Sequence, residues 1–284
     1  MEHKDILDLK EIALKSRKRI IQMASKGGCF VGSAFSCIDI VTYLYKKFLN
    51  ISSDLLDDPS RDYLFLSKAH AVPALYATFV EMGWLEESRL NNHLKTNDSI
   101  YWHPNRSING IEFHAGSLGH MLSVAAGVAL DIKLKGQSNR VVVIVGDGEL
   151  NEGSNWETLL VANSKNLDNL LIIVDRNKYQ ANYKTEELVP LEPLDKKFEA
   201  FGTAVRTING HDFLEIEAAL NEVPFQNGKP SVIIANTVRG KGIPSIEDKF
   251  ETWFLELSES QAYEMIEELQ IYNKQTSKRG SNVL

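Results

Sequence analysis

The chain has 284 residues, 43% of them hydrophobic, enough to bury a sizeable core in one large domain or two small ones. Its 38 acidic residues outnumber 31 basic ones, giving a formal net charge of −7, which argues against a nucleic-acid-binding surface. Two cysteines, Cys29 and Cys37, exclude a disulfide framework or a four-cysteine zinc site.

The N-terminus, MEHKDILDLKEIALK, is charged throughout and has no apolar signal core. No apolar run approaches the roughly 18 residues of a membrane span, so the expected location is the cytoplasm, with no membrane partner. Ile6, Leu9, Ala13, Ile20 and Met23 recur at helical spacing and predict an amphipathic helix over 5–25, stopped by Gly27 and Gly28. A Gly/Ser segment follows, then a second helix over 38–49 with Ser36 as its N-cap. DPSRD (58–62) is turn chemistry, and YLFLS (63–67) reads as a short buried strand. Helices are expected over 72–82 and 86–94. Residues 95–117 lack periodicity, and a loop this long inside a compact domain is often functional.

The second half alternates more regularly. It predicts a helix of small residues over 118–135, a strand over 141–145, a helix over 153–165 and a strand over 170–175. A strand over 203–208, a helix over 212–222, a strand over 231–237 and a last helix over 258–271 follow. The tail from about 273 to 284 reads as frayed and flexible. Continuous apolar runs mark strands buried on both faces. The predicted fold class is α/β: a doubly wound, mostly parallel sheet flanked by helices, in a single domain.

The chemistry concentrates in VVVIVGDGELNEGSNWE (141–157). A glycine turn after a buried strand, feeding a helix, offers free N–H groups to phosphate oxygens. Yet Asp147 stands between Gly146 and Gly148. The dinucleotide fingerprint GxGxxG fails, because Asn151 occupies the third glycine position. An EF-hand loop fails as well, because Glu152 occupies its obligatory glycine. A carboxylate repels phosphate unless a cation lies between them, so Asp147 predicts a bridging divalent metal. Mg²⁺ is the hard, oxygen-loving candidate, with Ca²⁺ or Mn²⁺ as substitutes. Asn177, just past the next strand, offers an amide oxygen as a second ligand. The backbone carbonyl of Tyr179 could complete the set.

GDG, then 28 residues, then Asn at the next strand end resembles the signature of thiamine diphosphate enzymes. More specifically, RDYLFLSKAHAVPALYA, WHPNRSINGIEFHAGSLGHMLSVAAGVAL and NTVRGKG resemble blocks of the N-terminal half of transketolase. The resemblance covers roughly residues 10 to 255. It implies the thiamine diphosphate-binding fold, here the pyrophosphate domain, with Asp147, Asn177 and the Tyr179 carbonyl on Mg²⁺. It also implies that Gly146, Gly148 and Glu149 surround the diphosphate and that Gly116, Ser117 and Leu118 line the aminopyrimidine pocket. His70 and His103 match the family's active-site histidines, and Glu152 the acid that links paired active sites.

The family's pyrimidine-binding and C-terminal domains look absent from this sequence, and with them the glutamate that activates the cofactor. The resemblance therefore implies the N-terminal subunit of a split transketolase, moving a two-carbon ketol or acyl unit between sugars. Activity would need a separate C-terminal subunit, in an α2β2 assembly.

Two departures bear on the substrate. The family's GHxGgsLS reads CFVGSAFS, with Phe30 in place of a histidine. Its Trp-His near the C-terminus reads Trp253-Phe254. A phenylalanine cannot hydrogen-bond a sugar hydroxyl, and an unpaired buried hydroxyl costs about 1–3 kcal/mol. A deoxy, modified or less hydroxylated sugar is expected in place of the ordinary pentose phosphates. Two other readings stand beside this one: a 2-oxo acid dehydrogenase-type α subunit, which shares GDG and Asn, and a non-catalytic cofactor-binding scaffold.

Overall fold

The computed structural model describes residues 1–280, with side chains as far as 276. Helix α1 (His3–Ala24) is followed by α2 (Val31–Tyr43), which continues as a wider turn over Leu44–Phe48. Then come β1 (Tyr63–Leu66), α3 (Pro73–Glu81), the long irregular segment, α4 (Met121–Leu134), β2 (Val141–Gly146), α5 (Gly153–Ser164) and β3 (Leu170–Arg176). A small hairpin of β4 (Tyr179–Gln180) and β5 (Tyr183–Lys184) leads into α6 (Thr185–Leu188) and α7 (Leu194–Ala200). The chain closes with β6 (Ala204–Asn209), α8 (Phe213–Asn221), β7 (Ser231–Asn236) and α9 (Glu259–Gly280).

Five strands form one parallel sheet in the order β1-β2-β3-β7-β6. Side chains alternate across it, as strand geometry requires. Val142 and Ile144 face a core shared with α1, α2, α3, α8 and α9. Val141, Val143 and Val145 face a second core shared with α4, α5 and α7. Burial on both faces explains the unbroken apolar runs of β2 and β3. Strand β6, at the sheet edge, is half-buried or exposed at all but Ile208.

Several boundaries differ from the sequence reading. Helix α2 begins at Val31, so Ser36 lies inside it and is not an N-cap. Gly32, Ser33 and Ser36 are poor helix formers, which hid this first half. Their small size has a tertiary use, since all 13 residues of α2 are buried. The expected helix over 86–94 is a 3-10 turn, Glu87–Asn92. The last helix runs on to Gly280, well past 271 and through most of the expected tail. Residues 281–284 lie outside the described residues. No helix among the described residues is long and apolar enough to cross a membrane.

Candidate active site

A cavity of about 270 Å³ opens at the carboxyl edge of the sheet, where parallel α/β sheets place their ligands. Its lining comes from the ends of β1 (Lys68, His70), β2 (Gly146 to Glu149), β3 (Asn177, Tyr179) and β7 (Arg239), with Ser33 of α2 and Trp253.

Asp147 is almost fully buried. Its Oδ2 accepts from Arg176 Nη1 at 2.9 Å and from the Lys178 N–H at 2.6 Å. Among the described residues, its Oδ1 accepts only the Gly148 N–H, at 2.8 Å. Burial pushes this carboxyl up to about 6, against the opposing pull of Arg176. Asn177, also buried, turns its amide nitrogen to Asp175 at 3.1 Å. Its Oδ1 accepts the Tyr179 N–H at 3.0 Å. Asp147 Oδ1 and Asn177 Oδ1 each accept one hydrogen bond and keep a lone pair for a cation.

Among the described residues no cluster of three or more His, Cys, Asp and Glu could hold a metal. One carboxylate, one amide and a carbonyl, completed by phosphate oxygens, suit Mg²⁺ rather than a closed protein cage. A Cβ on Gly148 would stand 2.7 Å from Gln180 Cβ, so only glycine permits the close approach of the two loops here. The donor set and the shape of the cradle fit a metal-bridged diphosphate.

Three charged groups here had no role assigned from sequence. Lys68 lines the cavity and forms a buried ion pair with Asp175. Lys68 also donates to the Ser33 carbonyl at 3.1 Å and Ser36 Oγ at 3.3 Å. Asp175 accepts from Ser36 Oγ at 2.6 Å and from Thr237 Oγ1. The third is Arg239, buried and stacked 4.7 Å over the Tyr179 ring. It donates through Nη1 to the Ala181 carbonyl at 2.6 Å, while its buried Nε has no partner among the described residues. Burial lowers it to about 10. A buried guanidinium with an idle donor, lining a cavity, is suited to an anion. Lys68 and Arg239 stood inside the sequence blocks quoted above, but burial of a cation is a tertiary property that no local pattern displays.

The predicted residues separate into groups. Glu149 lines the cavity, yet its carboxylate is spent on Ser67 Oγ, the Gly119 N–H at 2.8 Å and the Gly146 N–H at 3.0 Å. It ties the 116–119 loop to the GDG turn. Leu118 lines the cavity, whereas Gly116 and Ser117 are exposed outside it. Gly116 lies beside His103, with a Cβ position 3.8 Å from its ring. Glu152 reaches the rim and is exposed. The helix expected from residue 153 does start at Gly153, and the turn that precedes it after Asp147 is a short 3-10 segment, Gly148–Asn151.

His70 Nε2 lies 3.0 Å from Ser33 Oγ. Burial and the nearby Lys68 and Arg239 lower His70 to about 3, so its imidazole is neutral at pH 7. His103 is half-buried, held by its carbonyl to Tyr76 Oη at 3.3 Å, and burial lowers its ring.

Phe30 and Phe254 do not line the cavity. They pack edge-to-face on each other with centroids 5.1 Å apart. Phe30 also lies 5.4 Å from the His70 ring and 5.0 Å from Trp253, both of which do line it. Two positions 224 residues apart in sequence thus form one aromatic wall behind the cavity. Cys29, next to Phe30, is buried, and burial pushes its thiol far up, which disfavours the thiolate that a nucleophile needs.

The family model described as the transketolase thiamine diphosphate-binding domain matches residues 16–275. The chain is 38% identical to one of the subunits of the apulose-4-phosphate transketolase of Actinobacillus succinogenes, over 87% of this chain and 90% of that one. It is 35% identical to the 6-deoxy-6-sulfo-D-fructose transketolase subunit SqwG of a Clostridium species, over 93% and 97% respectively. The transketolase structure from Campylobacter jejuni superposes with a TM-score of 0.84 at 26% identity, over 94% of this chain and 43% of that one. The chain therefore spans nearly the whole of the two subunits but under half of the solved enzyme.

Proposed function

This chain belongs to the transketolase family through its thiamine diphosphate-binding domain, and from that premise we propose that it is the cofactor-binding subunit of a split, Mg²⁺-dependent transketolase acting on a modified sugar. The observation that carries the proposal is that Asp147 and Asn177, each with a lone-pair-bearing oxygen, line one cavity together with the buried guanidinium of Arg239.

Asp147, Asn177 and the Tyr179 carbonyl would hold Mg²⁺, and Arg239 would neutralise diphosphate charge. Bound there, thiamine diphosphate supplies the electron sink for transferring a two-carbon ketol unit. His70, neutral and hydrogen-bonded to Ser33, can donate to or accept from a sugar oxygen without adding charge. Gly116, Ser117 and His103 would complete their contacts at an interface with a second chain. Exposed Leu118, Leu160 and Val161 give that chain apolar surface to cover. Glu152, exposed at the rim, could reach across to a paired site in an α2β2 assembly.

Support for a modified sugar comes from the Phe30–Phe254 wall and from the two relatives above, whose names give apulose 4-phosphate and 6-deoxy-6-sulfo-D-fructose as their sugars. The test is turnover by this chain mixed with its second-half partner. The kcat/KM for a modified ketose should exceed that for xylulose 5-phosphate by about tenfold or more. Equal or faster turnover of xylulose 5-phosphate would sink the modified-sugar reading.

A further inference from the structure

Behind the cavity wall, three segments meet at one carboxylate, and through two of them it reaches a fourth. Asp39, buried on α2, accepts from Arg17 Nη1 at 2.9 Å and Nη2 at 2.8 Å. Its Oδ2 also lies 2.7 Å from His211 Nδ1, in the turn between β6 and α8. The other imidazole nitrogen, Nε2, lies 2.9 Å from the Val238 nitrogen. A backbone N–H can only donate, so Nε2 accepts and the imidazole proton sits on Nδ1, donated to Asp39. Arg17 makes a second link, from Nε to the Lys241 carbonyl at 3.1 Å.

Val238 and Lys241 bracket Arg239 and the positive-φ Gly240. The loop that carries Arg239 into the cavity is thus held at two backbone points, and both holds lead back to Asp39. His211 itself does not line that cavity.

We infer that His211 is a positioning residue: it fixes the Val238 backbone, and through it the Arg239 guanidinium, at the candidate active site. The carboxylate–imidazole–amide chain serves the loop as such chains serve metal-bound histidines, by setting tautomer and orientation. Only the second arm of the test rests on the thiamine diphosphate reading.

Two variants separate the imidazole's two bonds. His211→Asn places an amide where Nδ1 was and loses the acceptor for Val238. His211→Gln places an amide oxygen where Nε2 was and keeps it. The first arm is amide hydrogen exchange across residues 236–243 in the chain without cofactor. Protection at Val238 should fall about tenfold in His211→Asn and stay near wild type in His211→Gln, the scale of one backbone hydrogen bond. The second arm is titration with thiamine diphosphate and Mg²⁺ in the complex with the second-half partner. Affinity should weaken about tenfold in His211→Asn and be restored in His211→Gln. Unchanged protection in His211→Asn overturns the inference, and so does equal, chain-wide loss in both variants, which marks a merely structural role. Protection lost in His211→Asn with wild-type cofactor affinity also overturns it. Protection lost only in His211→Asn, with no cofactor bound even by wild type, supports the clamp and counts against the cofactor reading alone.

Discussion

Asp147 is a buried acid pulled in two directions. Burial pushes its carboxyl up to about 6, while Arg176 and two backbone N–H groups favour the charged form. A divalent cation on Oδ1 would settle the balance toward the carboxylate. Asp147→Ala should therefore weaken Mg²⁺-dependent thiamine diphosphate binding by more than about 100-fold, beyond the loss typical of outer-shell groups. Calorimetric titration reads this directly. His70 carries a pH signature. Its folded value, about 3, lies below the ordinary 6.5, so between those limits the unfolded chain binds the extra proton. Its contribution to stability is complete above pH 6.5 and declines on acidification, by up to about 1.4 kcal/mol per pH unit. Asp147 acts with the opposite sign. Its raised value makes the folded chain bind the extra proton between about pH 4 and 6. The two slopes oppose one another there, so the clean measurement is wild type against His70→Gln. Denaturant unfolding from pH 7 to 4.5 should show the variant losing less stability on acidification; parallel curves would contradict a neutral His70. Asp147 and Asn177 were legible in the sequence as candidates, because a carboxylate in a phosphate turn would call for a cation, and both line the cavity. Lys68, Asp175 and Arg239 were not, because their meaning lies in burial and in partners from distant strands.

At the scale of elements, the segment over 250–257 depends on one glycine. Cys29 and Leu255 exchange backbone hydrogen bonds, 3.0 Å each way, forming a short antiparallel bridge. A Cβ on Gly28 would stand 2.5 Å from the Phe254 ring, at a φ of +79°. The Gly28 carbonyl also accepts from Trp102 Nε1 at 3.0 Å. Gly28→Ala should displace Phe254 and cost about 1–3 kcal/mol in denaturant unfolding, the range for overpacking. Tryptophan emission should shift with it, since Trp102 and Trp253 both pack in this aromatic cluster. An unshifted spectrum with full stability would show that the bridge does not hold the wall. Strands β1, β2, β3 and β7 were readable because burial on both faces writes itself as continuous apolar runs. Helix α2 was misread because its small residues signal a loop locally, while in three dimensions they admit neighbours. Gly32 is one of them: a Cβ there would meet Arg239 Cγ at 2.8 Å.

For the whole molecule, the carboxyl edge of the sheet carries Lys68, His70, Asp147 and Arg239, and large apolar side chains are exposed on a helix that flanks the sheet. Leu160 and Val161 stand out of α5, which packs against α4 through Ser123 Oγ and Thr158 Oγ1 at 2.5 Å. In the proposed complex this face meets the second-half partner. Leu160→Asp should weaken that association about tenfold, as for burying an unpaired charge at an interface. The melting temperature of the chain alone should change little, because the position is exposed. Sedimentation of the mixture reads the first and thermal unfolding the second. The α/β class and the parallel sheet followed from alternating strand and helix patterns. The aromatic wall joining Phe30 to Phe254 did not, because no sequence period relates two positions so far apart. The most direct test of the central claim is calorimetric titration of thiamine diphosphate, with and without Mg²⁺, into this chain mixed with its second-half partner. Saturable binding that requires Mg²⁺ and vanishes in Asp147→Ala is the predicted result. Binding that is indifferent to Mg²⁺ and to Asp147, or no binding at all, would contradict it.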